Sequence, residues 1–339
     1  MKANNIIIKI TTIAVFAVAL NYFYTFTFWR KELKNEAPDL LKLQRIADSC
    51  DILYFGESSN ISYNPLTDTI KTSISGLIAE KLDGKILGDI THEAYHAGIY
   101  LPLIKRISNK NKVKSIIVTL NLRTLGPPCV HSGLESALQK QALYYRNLPP
   151  LIIHLWAALN NYDNQTEYER DYNLWKQWAN DKLEVKGIDF NYLTVKQWCE
   201  AEKFRLPDGT ENMEKRTLAD HYVKAYGFVL NERNVRINDL DNIVNHCKNK
   251  KIKLFFNLLA ENTQYADSLA GHTLVELMRY NRDYLMKKYN NMYVTTIDNL
   301  EKVEGKDYTD QNWTTEHYNY KGRNAIAANV ALIVNSKVH

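Results

Sequence analysis

Between residues 51 and 120, three short apolar runs alternate with stretches of helical periodicity, and this rhythm constrains the fold more than anything else in the chain. The runs are 52–55, 84–90 and 115–120, the last reading Ser-Ile-Ile-Val-Thr-Leu. Their β-branched and aromatic residues suit strands buried on both faces. Between the first two, 69–82 carries Ile70, Ile74, Leu77, Ile78 and Leu82 at helical spacing. Strand–helix–strand units of this kind predict a parallel sheet with right-handed crossovers, hence an α/β fold. Runs at 251–259 and 292–297, with a helical pattern over 274–289, extend the same sheet. From 131 to about 239 the rhythm breaks into helical, charge-rich sequence, read as a helical insertion. Trp156, Trp175, Trp178 and Trp198 fall within it and are expected in its core. The expected organisation is an N-terminal segment 1–30, a first half-domain 31–130, the insertion 131–240 and a second half-domain 241–339.

The N-terminal segment is a separate matter. From Ile10 to Trp29 the chain carries no charge, and Lys2, Lys9, Arg30, Lys31 and Lys34 flank it. About twenty such residues span a bilayer, and Tyr22, Tyr24 and Trp29 collect at one end as an interfacial aromatic belt does. We read a single-pass anchor with the globular part outside the cytoplasm. A cleaved signal peptide processed after Ala17-Val-Ala19 is the alternative. The net charge of +5 is mixed along the chain with no basic block, which argues against a nucleic-acid partner. No glycine-rich phosphate loop follows a strand, which argues against a nucleotide. The four cysteines form no Cys-x-x-Cys pair, so a zinc knuckle or dithiol redox site is not expected.

Residues able to do chemistry collect where the strands end. The first run stops at Gly56 and is followed at once by Glu57, Ser58 and Ser59. Open α/β sheets keep their sites at the carboxyl ends of strands. A serine there needs a base from elsewhere in the fold. His317 lies in a polar tail ahead of a final apolar helix, 325–334, and is placed to meet Ser58, with Ser59 as the alternative nucleophile. After the central run come Asn121, a donor or a turn cap, and Arg123, a contact for an anionic substrate group. His92 and His96, with Glu93 between, have the spacing of a helical metal pair, but lacking a third ligand they read as pocket lining. No metal and no cofactor is implied.

In order and placement these blocks resemble those of the SGNH (GDSL-like) serine hydrolases. Gly56-Glu57-Ser58 looks like the superfamily's Gly-Asp-Ser, and Gly98, with Gly88 as fallback, like its glycine after the second strand. Asn121 is similar to its asparagine after the central strand, and His317-Tyr-Asn319-Tyr-Lys-Gly322 to its histidine block. The resemblance covers 51–125 and 251–334. It implies a flavodoxin-like three-layer α/β sheet, Ser58 as nucleophile, His317 as general base, and an oxyanion hole of the Ser58 and Gly98 amides with the Asn121 side chain. The superfamily's acid stands three residues before its histidine, a position held here by Thr314. The orienting acid is then Asp310, which can fold back, or Glu316, which would usually point away. An anchor followed by such a domain is also similar to envelope members related to teichoic-acid D-alanylation and alginate O-acetylation proteins. Asn262 corresponds to the asparagine of their Pro-x-Asn loop, without the proline. The implied activity is that of a serine esterase or O-acyltransferase on acyl esters of cell-envelope glycans, with a membrane-bound O-acyltransferase as partner. The alternative, prompted by Thr314, is an SGNH-fold envelope factor with little or no activity that binds a glycan or protein.

Overall fold

A computed structural model of the protein describes residues 3–159, 166–179, 182–183, 185, 190–202, 204–310, 313–314 and 316–337. The strands are β1 (Ile52–Gly56), β2 (Leu87–Thr91), β3 (Ser115–Leu120), β4 (Lys253–Leu258) and β5 (Val294–Asp298). They form one parallel sheet in the order β2-β1-β3-β4-β5. That is the flavodoxin-like order, whose switch point lies between β1 and β3. Because side chains alternate along a strand, the apolar runs feed two cores. Leu53, Phe55, Ile116, Val118, Leu254 and Phe256 point to one face, and Ile52, Tyr54, Ile117, Phe255 and Ile297 to the other, all essentially fully buried. Burying each such side chain contributes roughly 1.5–3 kcal/mol, so the register is strongly specified.

The helices used below are α1 (Ala3–Tyr24), α2 (Pro38–Ile46), α3 (Ile74–Ala79), α4 (Ala97–Ile104), α5 (Gly133–Tyr145), α6 (Pro150–Ala158), α7 (Glu167–Ala179), α8 (Met213–Tyr226), α9 (Val235–Lys250), α10 (Thr263–Ala270), α11 (His272–Tyr289) and α12 (Tyr320–Lys337). Helices α3 and α12 cover one face of the sheet. Helices α4, α9 and α11 cover the other, and Leu138, Leu143, Trp198 and Tyr222 from the region between β3 and β4 share that same core. α9 is the crossover into β4 and runs through residue 240, where a domain boundary was expected. Helix α1 continues without a break into a helical stretch reaching Glu36. Over Asn5–Glu36 it is long and apolar enough to cross a membrane or to serve as a signal sequence. The four cysteines are free thiols.

At Gly56, whose φ is not positive, a Cβ would stand 2.6 Å from the Tyr54 ring, so space and not backbone freedom requires the glycine. Two local expectations are corrected. The helix expected over 69–82 is confined to α3, capped by Ser73, because Arg323 holds residues 62–72 as a loop. Of the four tryptophans, Trp198 is fully buried, but Trp175 is 63% exposed and Trp156 37% exposed. Trp175 stacks on Tyr172, and Tyr172 on Tyr168, along the outer face of α7, so its partners are rings and not a core. The side chain of Trp178 lies outside the described residues.

Candidate active site

The turn after β1 is built by Glu57. Its backbone is extended and its side chain caps the one-turn helix Ser58–Ile61, with the Ser59 amide donating to Oε1 at 3.3 Å. Asn60 ties this turn to its surroundings. Its Nδ2 donates to Ser75 Oγ (3.0 Å) and Thr91 Oγ1 (2.7 Å), and its Oδ1 accepts from the Ser75 amide (2.7 Å). Ser59 is thereby turned inward and fully buried. Ser58 is left half-buried at the sheet edge, with Oγ 3.2 Å from His317 Nε2. Ser58 is also the first residue of its helix, so its amide has no intrahelical acceptor.

His317 is placed by a folded-back segment. Tyr308 bridges Tyr318, the Thr309 amide donates to the His317 carbonyl (2.9 Å), and the Asn319 amide donates to the Asp307 carbonyl (2.9 Å). Tyr318 O–H donates to the Ala260 carbonyl (2.7 Å), anchoring the segment beneath the loop after β4. This pairing brings Asp310, the residue after Thr309, into the neighbourhood of the imidazole. Burial holds the His317 pKa below its ordinary 6.5, against the raising charges of Glu316 and Asp310; the Arg123 cation adds to the lowering.

Glu316 points away from the imidazole. It is fully buried, accepts from Arg123 Nε (2.9 Å) and a terminal Arg123 nitrogen (3.0 Å), and accepts from Asn121 Nδ2 (2.7 Å). Arg123 thus gives two of its three guanidinium nitrogens to Glu316. One hydrogen of the Asn121 amide is likewise committed, and Asn121 Oδ1 faces the Thr124 amide. Glu57 and Glu261 lie close enough to Glu316 to feel its charge. Burial first, and then that charge, push both carboxyl pKa values upward. Tyr226 O–H donates to Glu261 at 2.6 Å. An acid whose folded pKa is raised stabilises the fold fully below its unfolded pKa and loses that contribution as pH rises through the folded value. Replacing Glu261 by Gln should therefore raise the melting temperature at neutral pH more than at pH 4. An equal shift at both values would contradict the assignment.

The Gly98 amide donates to His96 Nδ1 (3.1 Å), and a Cβ there would stand 2.8 Å from Asp239 Oδ2. The oxyanion role expected of that N–H competes with this acceptor. His96 in turn has Nε2 2.8 Å from Glu135, which Arg236 grips at 2.6 and 3.3 Å. Burial pushes the His96 pKa down to about 4, so the ring is neutral, with Nδ1 accepting from the Gly98 amide and Nε2 facing Glu135. His96 caps α4 from an extended conformation and His92 stacks on Tyr95, so the two do not form the helical pair their spacing implied. Among the described residues no group of three potential ligands could hold a metal ion. Asn262 caps α10 by accepting from the Tyr265 amide (3.1 Å).

Two residues escaped the sequence reading. Glu261 completes the buried carboxylate group around Arg123. Arg323, fully buried, donates to the carbonyls of Ser62, Ile70, Thr72 and Tyr318 and pairs with Asp68 at 2.9 Å. It clamps the loop following the Ser58 turn onto the residue following His317. The signal for it was present: a cation in the first turn of a helix opposes the helix dipole, and Arg323 sits in the first turn of α12.

No family model and no curated protein matches the sequence. Among solved structures, the chain is similar to one from Streptococcus pneumonia solved under the provisional name platelet activating factor, at 12% identity and a TM-score of 0.37, covering 94% of this chain and 99% of that one. It is also similar to a lipase/acylhydrolase from Enterococcus faecalis, at 9% identity and a TM-score of 0.35, covering 84% of this chain and 95% of that one. These distant likenesses carry no argument about substrate. The chain's own layout is more telling: a 2-1-3-4-5 parallel sheet, a serine in the turn after β1, and a histidine just ahead of the closing helix. The fold is a flavodoxin-like α/β fold on one five-stranded parallel sheet.

Proposed function

We propose that this protein is a serine esterase or O-acyltransferase working through an acyl-enzyme on Ser58. The observation that carries the reading is the 3.2 Å approach of His317 Nε2 to Ser58 Oγ across 259 residues of sequence. As Ser58 Oγ attacks the ester carbonyl, His317 Nε2 takes its proton. The tetrahedral oxyanion is held by the Ser58 amide and the second N–H of the Asn121 side chain. The imidazolium, stabilised by the Asp310 charge, then protonates the departing alkoxide. Water or a sugar hydroxyl attacks the acyl-enzyme with His317 again as base, releasing acid or transferred ester and restoring Ser58. Glu57 bears on the first step, because its Oε2 lies 3.0 Å from Ser58 Oγ and competes for the same proton when ionised. Burial and the Glu316 charge push the Glu57 pKa up, which weakens that competition and favours transfer of the serine proton to the imidazole.

The finer assignment is a cell-envelope glycan ester, an extracytoplasmic domain on a single-pass anchor, and a membrane-bound O-acyltransferase as partner. It rests on the resemblance of the anchor-plus-domain layout to envelope proteins. The testing experiment is turnover of a simple acetyl ester by the full chain in detergent. The acid limb of kcat/KM is expected below pH 6.5, because His317 is held below its ordinary pKa. Turnover without such a limb, or no turnover, would contradict the mechanism. In the absence of turnover the second reading gains, that of a weakly active or inactive factor binding a glycan or protein. Its support is that the Gly98 amide and one Asn121 hydrogen serve other acceptors.

A further inference from the structure

Helix α6 carries an apolar stripe that the protein does not cover. Ile152, Leu155, Trp156 and Leu159 follow the i, i+3, i+4, i+7 spacing of one helix face and are 37%, 52%, 37% and 66% exposed, whereas Ile153 on the other side is fully buried in the core. An exposed contiguous stripe of this kind marks an interaction surface.

What covers it is indicated by what lies beside it. The Leu151 amide donates to Asn21 Oδ1 at 3.2 Å, the His154 ring packs edge-on to Tyr24 at 5.2 Å, and His154 Nε2 meets Glu32 at 3.2 Å. α6 is thus docked on the N-terminal helix between Asn21 and Glu32, the end that carries Tyr22, Tyr24 and Trp29. The anchor's own outward residues there, Phe23, Phe26 and Phe28, are 59%, 84% and 51% exposed, so apolar surface continues from one helix to the other. Behind Trp156 lies a cavity of about 480 Å³ with Lys105, Arg106, Arg146 and Arg170 on its wall; beyond the Glu135–Arg236 pair its only lining carboxylate among the described residues is Asp239. Cations flanking an apolar helix face with a tryptophan are the chemistry that meets acyl chains and headgroup phosphates at once.

We propose that α6 is an interfacial helix, with its stripe lying in the lipid leaflet from which α1 emerges and the basic cavity facing anionic headgroups. The site would then be held at the membrane surface by two contacts. The proposal rests on the reading of α1 as an uncleaved anchor.

The test reconstitutes the full chain into phosphatidylcholine–phosphatidylglycerol vesicles with an environment-sensitive fluorophore on Leu155→Cys, Leu159→Cys or, as a control within the span, Val15→Cys. Cys129 is replaced by serine and the buried native thiols are kept. The expected result is loss of fluorescence at 155 and 159 with doxyl-labelled lipid and shielding from aqueous iodide, as at 15. If iodide quenches 155 and 159 and doxyl lipid does not, while 15 behaves as lipid-buried, the proposal falls and the anchor stands. If 15 also escapes the doxyl lipid, the anchor reading falls and takes the proposal with it. If 155 and 159 are shielded from both quenchers, a second copy covers the stripe and the proposal is likewise overturned.

Discussion

Ser58→Ala is expected to lower kcat/KM for an activated ester by about 10⁴- to 10⁶-fold, the range seen when the nucleophile of a serine–histidine pair is removed. That is roughly 5–8 kcal/mol of transition-state stabilisation. The loss should be confined to chemistry. Among the described residues the Ser58 hydroxyl hydrogen-bonds only with Glu57 and His317, whereas Asn60 and the Glu57 cap hold the turn through other atoms. The melting temperature should therefore move little. Ser59 cannot take over, because its side chain is fully buried beneath the turn. Retention of more than a small fraction of activity in a folded variant would place the nucleophile elsewhere.

The second large effect is on stability. Arg323→Met should cost roughly 3–5 kcal/mol at neutral pH, as removal of one partner from a buried charge pair does. Methionine fills much of the volume but abandons four carbonyls and leaves Asp68 buried with only the Tyr320 and Asn64 amides as donors. Burial tends to raise the Asp68 pKa, but those amides and Arg323 hold it below its ordinary 3.8. A carboxylate with a depressed folded pKa contributes stability above its unfolded pKa that is lost as pH falls through the folded value. The penalty of the substitution should accordingly shrink below pH 3.8, where Asp68 takes up a proton in the variant. Denaturant titration in detergent at pH 7 and pH 3 checks both the size and the trend. An equal cost at both values would mean that the four carbonyls, and not the ion pair, carry the effect.

Much of the fold was legible because its strands are buried on both faces and so appear as unbroken apolar runs, as 115–120 does. Ser58 and His317 were legible because each sits beside such a run or just ahead of the closing helix, where topology brings strand ends together. The parts that were not legible depend on distant partners. Nothing local to Gly98 reveals that His96, Glu135 and Arg236 form a buried cluster that occupies its amide. Nothing local to Asn121 and Arg123 reveals that Glu316 lies between them. The helix expected over 69–82 failed for the same reason. Ile74, Leu77 and Ile78 are buried as their spacing required, but Arg323 draws the preceding residues into its clamp and leaves Ile70 40% exposed. Sequence periodicity reports which face is buried, and long-range polar contacts decide where the element ends.

The central claim is that His317 makes Ser58 a nucleophile. Its most direct test is labelling of the full chain by a fluorophosphonate, followed by mass spectrometry of the peptide containing Ser58. The account predicts one phosphonyl group on Ser58 in the wild type, its absence in Ser58→Ala, and strongly slowed labelling in His317→Gln. Undiminished labelling of Ser58→Ala, or a wild type that stays unlabelled, would contradict it.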